Sequence, residues 1–243
     1  MCAVSVPLRG PLVEARFEER PNRFVVHARL AGGEAAVAHL ADPGRLKELL
    51  VPGRRLWLRP ADPAARPPRK TRWSVALVEA PEGGLVSVDT GVPNRLVGEA
   101  LRRDALPELA PFRLGRAEVP VGRSRIDFLL EPPGADGGPP LLLEVKSVTL
   151  VEEGVGLFPD AVTARGARHV RELAEGVREG RYRAAVLFVV QRPDVRRVLA
   201  APEIDPTFAH ALEEARADGL RVLGRRCRVE LDRVVLDGPI PAG

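Results

Sequence analysis

Asp127, Glu144 and Lys146 bring two carboxylates and one ammonium together within a short stretch of chain. They stand in two apolar runs, Ile126 to Leu130 and Leu141 to Val145, on either side of the breaker-rich segment Pro132 to Pro140, so the runs read as neighbouring strands joined by a turn. Alternation along the second strand puts Glu144 and Lys146 on one face and Val145 on the other, which buries Val145 and leaves the two charged heads on a shared surface. Two carboxylates at adjacent strand ends suit Mg²⁺, a hard ion that keeps several waters and accepts a few carboxylates together with phosphate oxygens. A neighbouring lysine can then orient or activate the attacking water. The same residues could equally form a solvated edge strand carrying a surface ion pair.

Lysine usage favours chemistry over solvation. Of 37 basic residues only Lys47, Lys70 and Lys146 are lysines. Arginine stays protonated and forked, whereas lysine is a compact charge whose pKa moves on burial, so a site that needs proton chemistry tolerates arginine poorly. The pattern of an aspartate followed by Glu-x-Lys resembles the PD-(D/E)xK nuclease core, with Asp127, Glu144 and Lys146 in that family's catalytic positions.

The elements that must position these groups fall into two parts. With 243 residues, 45% hydrophobic and 29% charged, the chain is expected to be globular, as one large domain or two modest ones. No apolar run approaches the length of a membrane span and MCAVSVPLRG lacks an apolar signal core, so the expectation is a cytoplasmic protein without a membrane partner. Cys2 and Cys227 lie near opposite ends without metal-ligand spacing, which argues against a disulfide or a zinc site. The net charge is +4, and all of the basic excess lies in residues 1–85, with 14 Lys/Arg against 9 Asp/Glu. A basic binding module ahead of a nearly neutral body is the simplest account, although an arginine-biased surface without a partner would give the same surplus.

From Gly10 to Val88 short strands alternate with turns: Leu12 to Phe17, Phe24 to Leu30, Ala35 to His39, Arg54 to Arg59, Trp73 to Val78 and Leu85 to Val88. Between the third and fourth, DPGRLKELL reads as a short helix capped by Asp42, an OB-fold feature. Such barrels bind oligonucleotides through basic grooves and stacking aromatics. The candidates are Arg54, Arg55 and Arg59, then Arg66, Arg69, Lys70 and Arg72 in a Pro-rich exposed loop. Trp57 and Trp73 either stack on bases or fill the barrel. Beyond residue 88, NRLVGEALRRD predicts a helix capped by Asn94, with Glu99 near the edge of its inner face. Strands Arg113 to Val121 and SRIDFLL follow, then the helix RGARHVRELAEGVREG, the fully apolar strand Ala184 to Val190, a helix capped at Asp205, and a last strand LRVLGRRCRVEL. An apolar strand of that kind is central and covered on both faces, and Gln191 stands at its end, where ligands gather in such sheets.

Taken together, SRIDFLL, LEVKSVTL, FPDAVTARGARHVREL, LFVVQR and IDP, with NRLVGEAL and the VPG before Trp57, resemble the sugar fermentation stimulation protein A family. The resemblance implies an α/β fold plus a small β-barrel: an N-terminal OB-fold over 1–86 that binds nucleic acid, followed by a PD-(D/E)xK nuclease-like mixed α/β domain over 87–243. The segment His39 to Leu46 departs from the family's HCPNTG string. The resemblance further implies Lys146 as the catalytic lysine, Glu99 as a helix-borne acid that completes the metal shell or holds a second ion, and Gln191 as a peripheral site residue. Asp127, Glu144 and the Val145 carbonyl would hold Mg²⁺, with Mn²⁺ as a substitute. Arg165, Arg168 and His169 would face phosphates from a helix, although a histidine among Arg and Glu is more commonly solvated. Two functions follow: a Mg²⁺-dependent nuclease acting on DNA, or a non-catalytic DNA-binding regulatory factor affecting sugar metabolism genes. No helix-turn-helix is present to support a sequence-specific repressor.

Overall fold

The computed structural model describes residues 3–61, 70–134 and 137–243. Strand β1 (Val4–Pro7) is followed by β2 (Val13–Asn22), β3 (Val25–Leu30), β4 (Ala35–His39), β5 (Arg55–Pro60), β6 (Trp73–Glu79) and β7 (Leu85–Ser87). These strands run in the order β4-β3-β2-β5-β6-β7, and a parallel pairing of β4 with β6 closes five of them into the OB barrel. Closure leaves Val26, Ala28, Ala38, Leu56, Leu58 and Val78 without exposure, because alternate residues of each strand must point inward. Strand β1 stands apart from the 1–86 grouping. It pairs antiparallel with the final strand of the chain, Val4 opposite Leu236, so the N-terminus is stitched to the second half.

The segment DPGRLKELL forms no helix. Leu46 has φ of +50°, and Leu46 and Leu49 are completely buried around a tight turn. Asp42 spends one oxygen on the Gly44 N–H at 2.8 Å and the other on the Thr149 hydroxyl at 3.2 Å. A nine-residue helix is marginal in water, so tertiary anchors override its pattern here. Arg20 supplies another anchor, donating to the carbonyls of Gly44 at 2.7 Å and Arg45 at 2.9 Å.

The second half begins with α1 (Val92–Arg102) and continues through β8 (Arg113–Val121), β9 (Ser124–Glu131), β10 (Leu141–Val148), β11 (Val151–Glu152), β12 (Val155–Phe158), α2 (Ala164–Arg178), β13 (Arg183–Val190), β14 (Arg197–Ala200), α3 (Pro206–Ala217), β15 (Arg221–Val229) and β16 (Arg233–Ile240). A seven-stranded mixed sheet has the order β1-β16-β15-β13-β10-β9-β8, while β11, β12 and β14 make a small separate sheet. The apolar β13 is central and parallel to β10 and β15, as its composition requires. Strand β16 follows the last strand expected from sequence, and the three short strands of the small sheet, all earlier in the chain, were not expected either. Helix α1 covers one face of the large sheet, where Trp57 and Leu77 of the barrel join the same core as Leu96, Val97, Leu143 and Val145. Helices α2 and α3 cover the other face. Asp205 caps α3 by accepting from Phe208 N–H at 2.9 Å, and its second oxygen accepts from Thr163 N–H at 2.7 Å, so one carboxylate fixes the start of both helices.

Barrel and sheet are locked at Arg192, whose side chain is 2% exposed. It makes a two-pronged bond to Asp194 at 2.7 and 2.6 Å, donates to the Thr149 carbonyl at 3.0 Å and reaches Glu48 of the barrel loop at 3.4 Å. Removing one partner of a buried ion pair strands the other, which costs roughly 3–5 kcal/mol. Arg192→Ala is therefore expected to lose about that much in urea unfolding, with Arg192→Lys recovering only part because a point charge cannot reproduce the fork. An unchanged midpoint would show that the pair is solvent-relaxed.

Candidate active site

The β9–β10 ladder pairs Leu141 with Leu130, Leu142 with Leu129 and Leu143 with Phe128, and then stops. Just beyond it, the Val145 N–H donates to Asp127 Oδ2 at 2.7 Å, so a side chain takes over where the backbone partner ends. In a strand the N–H and C=O of one residue share an edge, which places the Val145 carbonyl on the Asp127 side. Asp127 Oδ1 accepts from Asn94 Nδ2 at 2.5 Å. Asn94 is thus not a helix cap: α1 starts two residues earlier, with Gly91 at the cap and Pro93 in its first turn, leaving the Asn94 amide free to hold the carboxylate.

Glu144 is buried, 3% exposed, and not on a solvated surface as alternation alone implied. Its Oε1 accepts from Lys146 Nζ at 2.6 Å and from His169 Nδ1 at 2.6 Å. Helix α2 lies over this face and brings His169 onto the carboxylate, so His169 is a buried partner of Glu144 and does not face phosphate from solvent. His169 Nε2 in turn accepts from Arg165 Nε at 3.3 Å, which assigns the ring proton to Nδ1 and directs it at Glu144. Glu144 Oε2 is buried without a partner. Burial pushes Glu144 upward, but the His169 hydrogen bond and the Lys146 charge outweigh it and hold the carboxyl below its usual range. Asp127 goes the other way: burial, reinforced by the Glu144 charge, raises it to about 6 against the opposing Val145 and Asn94 bonds. Two neighbouring carboxylates thus titrate apart.

The remaining expected site residues divide. Gln191 is buried, its Nε2 donating to Ser147 Oγ at 2.9 Å one residue beyond Lys146, while its Oε1 has no partner. Glu99 shares a cleft with Asn94 and Asp127, but both of its oxygens are occupied by Arg102 and Arg103 of its own helix. Among the described residues no group of three or more His, Cys, Asp or Glu could hold one ion, so Glu99 does not join the two carboxylates in a shared ligand cluster. Arg165 and Arg168 are exposed on the first turns of α2. In the barrel, Lys70 and Arg72 are exposed and Arg54 is half-buried, whereas Arg55 is tied to Glu79 at 2.5 Å and stacked on Trp57, and Arg59 faces Asp89 at 3.4 Å. Arg66 and Arg69 lie outside the described residues. Trp57 is buried in the core that the barrel shares with α1 and the large sheet, and half-buried Trp73 packs against the barrel core, so Trp73 is the one that fills the barrel. Sequence reasoning missed Asn94 as a ligand to Asp127; the i, i+4 spacing of Arg165 and His169 was the available signal for a shared helix face.

The donor set of Asp127, Glu144 and the Val145 carbonyl consists only of hard oxygens, and the orphaned Oε2 of Glu144 calls for a positive partner. These residues fit a divalent cation such as Mg²⁺ or Ca²⁺. No helix among the described residues is long and apolar enough to cross a membrane.

Two family models match the chain: the sugar fermentation stimulation protein RE domain over residues 91–233 and the SfsA N-terminal OB domain over residues 19–88. The sugar fermentation stimulation protein homolog of Moorella thermoacetica is 45% identical over 235 residues, spanning 97% of this chain and 98% of that protein. Its counterpart in Shouchella clausii is 44% identical and spans 95% and 97%. Among solved structures, Pyrococcus furiosus SfsA in complex with Ca²⁺ superposes with a TM-score of 0.85 at 28% identity over 100% of both chains.

A carboxyl raised to about 6 ties ion binding to pH. Its folded value lies above the unfolded one, so in metal-free protein the stability it contributes is complete at acid pH and is lost as pH rises through about 6, when charge is forced beside Glu144. A divalent cation needs that charge. Ca²⁺ is therefore expected to raise the melting temperature clearly at pH 7.5 and hardly at pH 5, with Asp127→Asn abolishing the difference. Equal shifts at both pH values in differential scanning fluorimetry would place the ion elsewhere.

Proposed function

Because the chain belongs to the sugar fermentation stimulation protein family, one member of which was solved holding Ca²⁺, we propose that it is a divalent-metal-dependent nuclease that cleaves phosphodiester bonds in DNA. The observation that carries the reading is the buried carboxylate of Glu144, shared by Lys146 and His169, with one oxygen left unpartnered and its charge felt by Asp127. A buried carboxylate oxygen without a partner calls for an explanation, and a cation at this position supplies one.

In this reading Asp127, Glu144 and the Val145 carbonyl hold Mg²⁺, with Mn²⁺ as a substitute. When bound, the ion supplies Lewis-acid polarisation of the phosphate and a water of lowered pKa. Asn94 and the Val145 N–H fix the Asp127 carboxylate, so its orientation is set before substrate arrives. His169 does the same for Glu144 and, by keeping it ionised, maintains the charge that holds the Lys146 ammonium in place. Lys146 is 12% exposed, which lets it meet a water or a phosphate oxygen while its position stays fixed. It orients the nucleophile in line with the leaving group and stabilises the developing charge. Gln191 steadies Ser147 next to it, and Glu99 contributes from the cleft wall without ligating the ion.

Nucleic acid is the partner that the charge distribution favours. The basic surplus lies in residues 1–85, with exposed Lys70 and Arg72 and half-buried Arg54 on the barrel, while exposed Arg165 and Arg168 flank the site on α2. The barrel, β2 to β7, would grip the phosphate backbone, and the large-sheet unit, which takes in β1, would cut it.

The test is a screen of fluorescently labelled single- and double-stranded substrates with Mg²⁺, Mn²⁺ or EDTA. Asp127→Asn and Glu144→Gln are expected to abolish cleavage while retaining or strengthening DNA binding, since each removes negative charge facing phosphate. Lys146→Arg keeps the charge and is still expected to be severely impaired. His169→Ala should lower kcat by about 10–100-fold with KM little changed, and His169→Asn, which can still donate to Glu144, should recover part of it. Protein that binds DNA and a divalent ion but cuts nothing, with Lys146→Arg indistinguishable from the native chain, would leave the non-catalytic DNA-binding factor as the function.

A further inference from the structure

Immediately beside Lys146 the barrel loop and the β12–α2 loop enclose a cavity of about 280 Å³. Pro43, Phe158, Pro159 and Val162 supply apolar wall, while Arg23, Lys146, Asp42 and Asp160 supply charge, both Asp42 oxygens being already hydrogen-bonded. Hydrogen bonds fix the loops that wall the cavity. Arg20 clamps the carbonyls of Gly44 and Arg45, and Asp42 ties the Gly44 N–H to Thr149 on the opposite wall. Asp160 Oδ2 accepts from the Leu46 N–H at 2.8 Å, so the two loops meet directly. A Cβ on Gly44 would stand 2.6 Å from that oxygen, which leaves no room for another residue at the junction. Only one Asp160 oxygen is used in this way; its Oδ1 has no hydrogen-bond partner among the described residues. Val162 is 71% exposed, a large apolar side chain left in solvent at one of the cavity's walls.

We propose that this cavity is a nucleotide subsite that takes a single unstacked base from the strand whose phosphate lies at Lys146. The proposal rests on the nuclease reading and narrows it to a substrate class. Small-molecule sites occupy roughly 300–1,000 Å³, so a cavity of about 280 Å³, just below that range, suits a single base and excludes a base pair. Prolines and Val162 offer flat apolar contact to the faces of a base. The free oxygen of Asp160 accepts from an exocyclic amino group, as on guanine, cytosine or adenine, or from a ring N–H, as on guanine or thymine. Continuous duplex must unpair and unstack a base before it can fill the cavity, whereas a strand end, a flap or an unpaired nucleotide offers one already free. The preferred substrates are thus nucleic acids with an unpaired nucleotide next to the scissile phosphate.

The experiment uses the whole chain with Ca²⁺ and two DNA duplexes, each carrying one 2-aminopurine, unpaired in the first and paired in the second. Native protein is expected to bind the first about tenfold more tightly and to change its 2-aminopurine fluorescence on binding. Val162→Trp, which fills the mouth from an exposed position, should remove both the preference and the fluorescence change while leaving paired duplex bound as before. Val162→Ser, which keeps the space open, should retain the preference. Equal binding of the two duplexes, or a preference that survives Val162→Trp, would overturn the subsite while leaving a nuclease that cuts paired DNA intact. Failure to bind either duplex would overturn both readings together.

Discussion

A carboxylate inside a protein is costly unless its charge is answered, and Glu144 is the carboxylate around which the second half of this chain is arranged. It sits on β10 under α2, where water cannot solvate it, so its partners must come from the fold. Lys146 answers it from the same strand two residues on, and His169 answers it from the helix above. The demand propagates outward. His169 reaches Glu144 only if α2 starts at the right place, and that start is set by Asp205, which binds the Thr163 N–H while capping α3. One oxygen remains unanswered, and a cation is the partner that would answer it.

Asp127 completes the site under a different constraint. It is pinned by α1 through Asn94 and by the β10 backbone through Val145, whereas Glu144 is pinned by α2, so the two carboxylates are held from opposite helical layers of one sheet. Their environments drive their protonation in opposite directions. Glu144 is held below the usual carboxylate range and Asp127 is raised to about 6, which would couple the loading of a cation to pH. The barrel is bound into the same construction. Trp57 shares a core with α1, Arg192 reaches Glu48, and Leu46 hangs from Asp160, so the loop between β4 and β5 becomes a wall of the cavity beside Lys146.

Much of this was legible in the sequence, for reasons that differ by residue. The strands of the barrel and the apolar β13 follow from alternation and composition, and the Asp205 cap follows from local chemistry. The Asp127, Glu144 and Lys146 trio stood out because its residue types and its lone lysine had few other uses. What failed were inferences in which a local signal competed with a distant partner. DPGRLKELL carries helical periodicity, yet its backbone is claimed by Arg20 and Asp160, more than a hundred residues apart in the chain. Asn94 looks like a cap, but Gly91 and Pro93 start the helix and free its amide for Asp127. His169 looked solvated because its neighbours Arg168 and Arg171 are charged, while its own helical position points to the sheet. Strand β1 could not be assigned to the far sheet at all, since its partner β16 lies at the other end of the chain.

The central claim is that Asp127, Glu144 and the Val145 carbonyl form one divalent-ion site, with Lys146 and His169 holding Glu144 in place. Anomalous diffraction from crystals of the native chain soaked in Mn²⁺ at pH 7.5 tests it most directly. The account predicts a strong peak within coordination distance of both carboxylates and the Val145 carbonyl, lost in Glu144→Gln crystals. A peak confined to other residues, or none at this site while Lys146 and His169 still bracket Glu144, would contradict it.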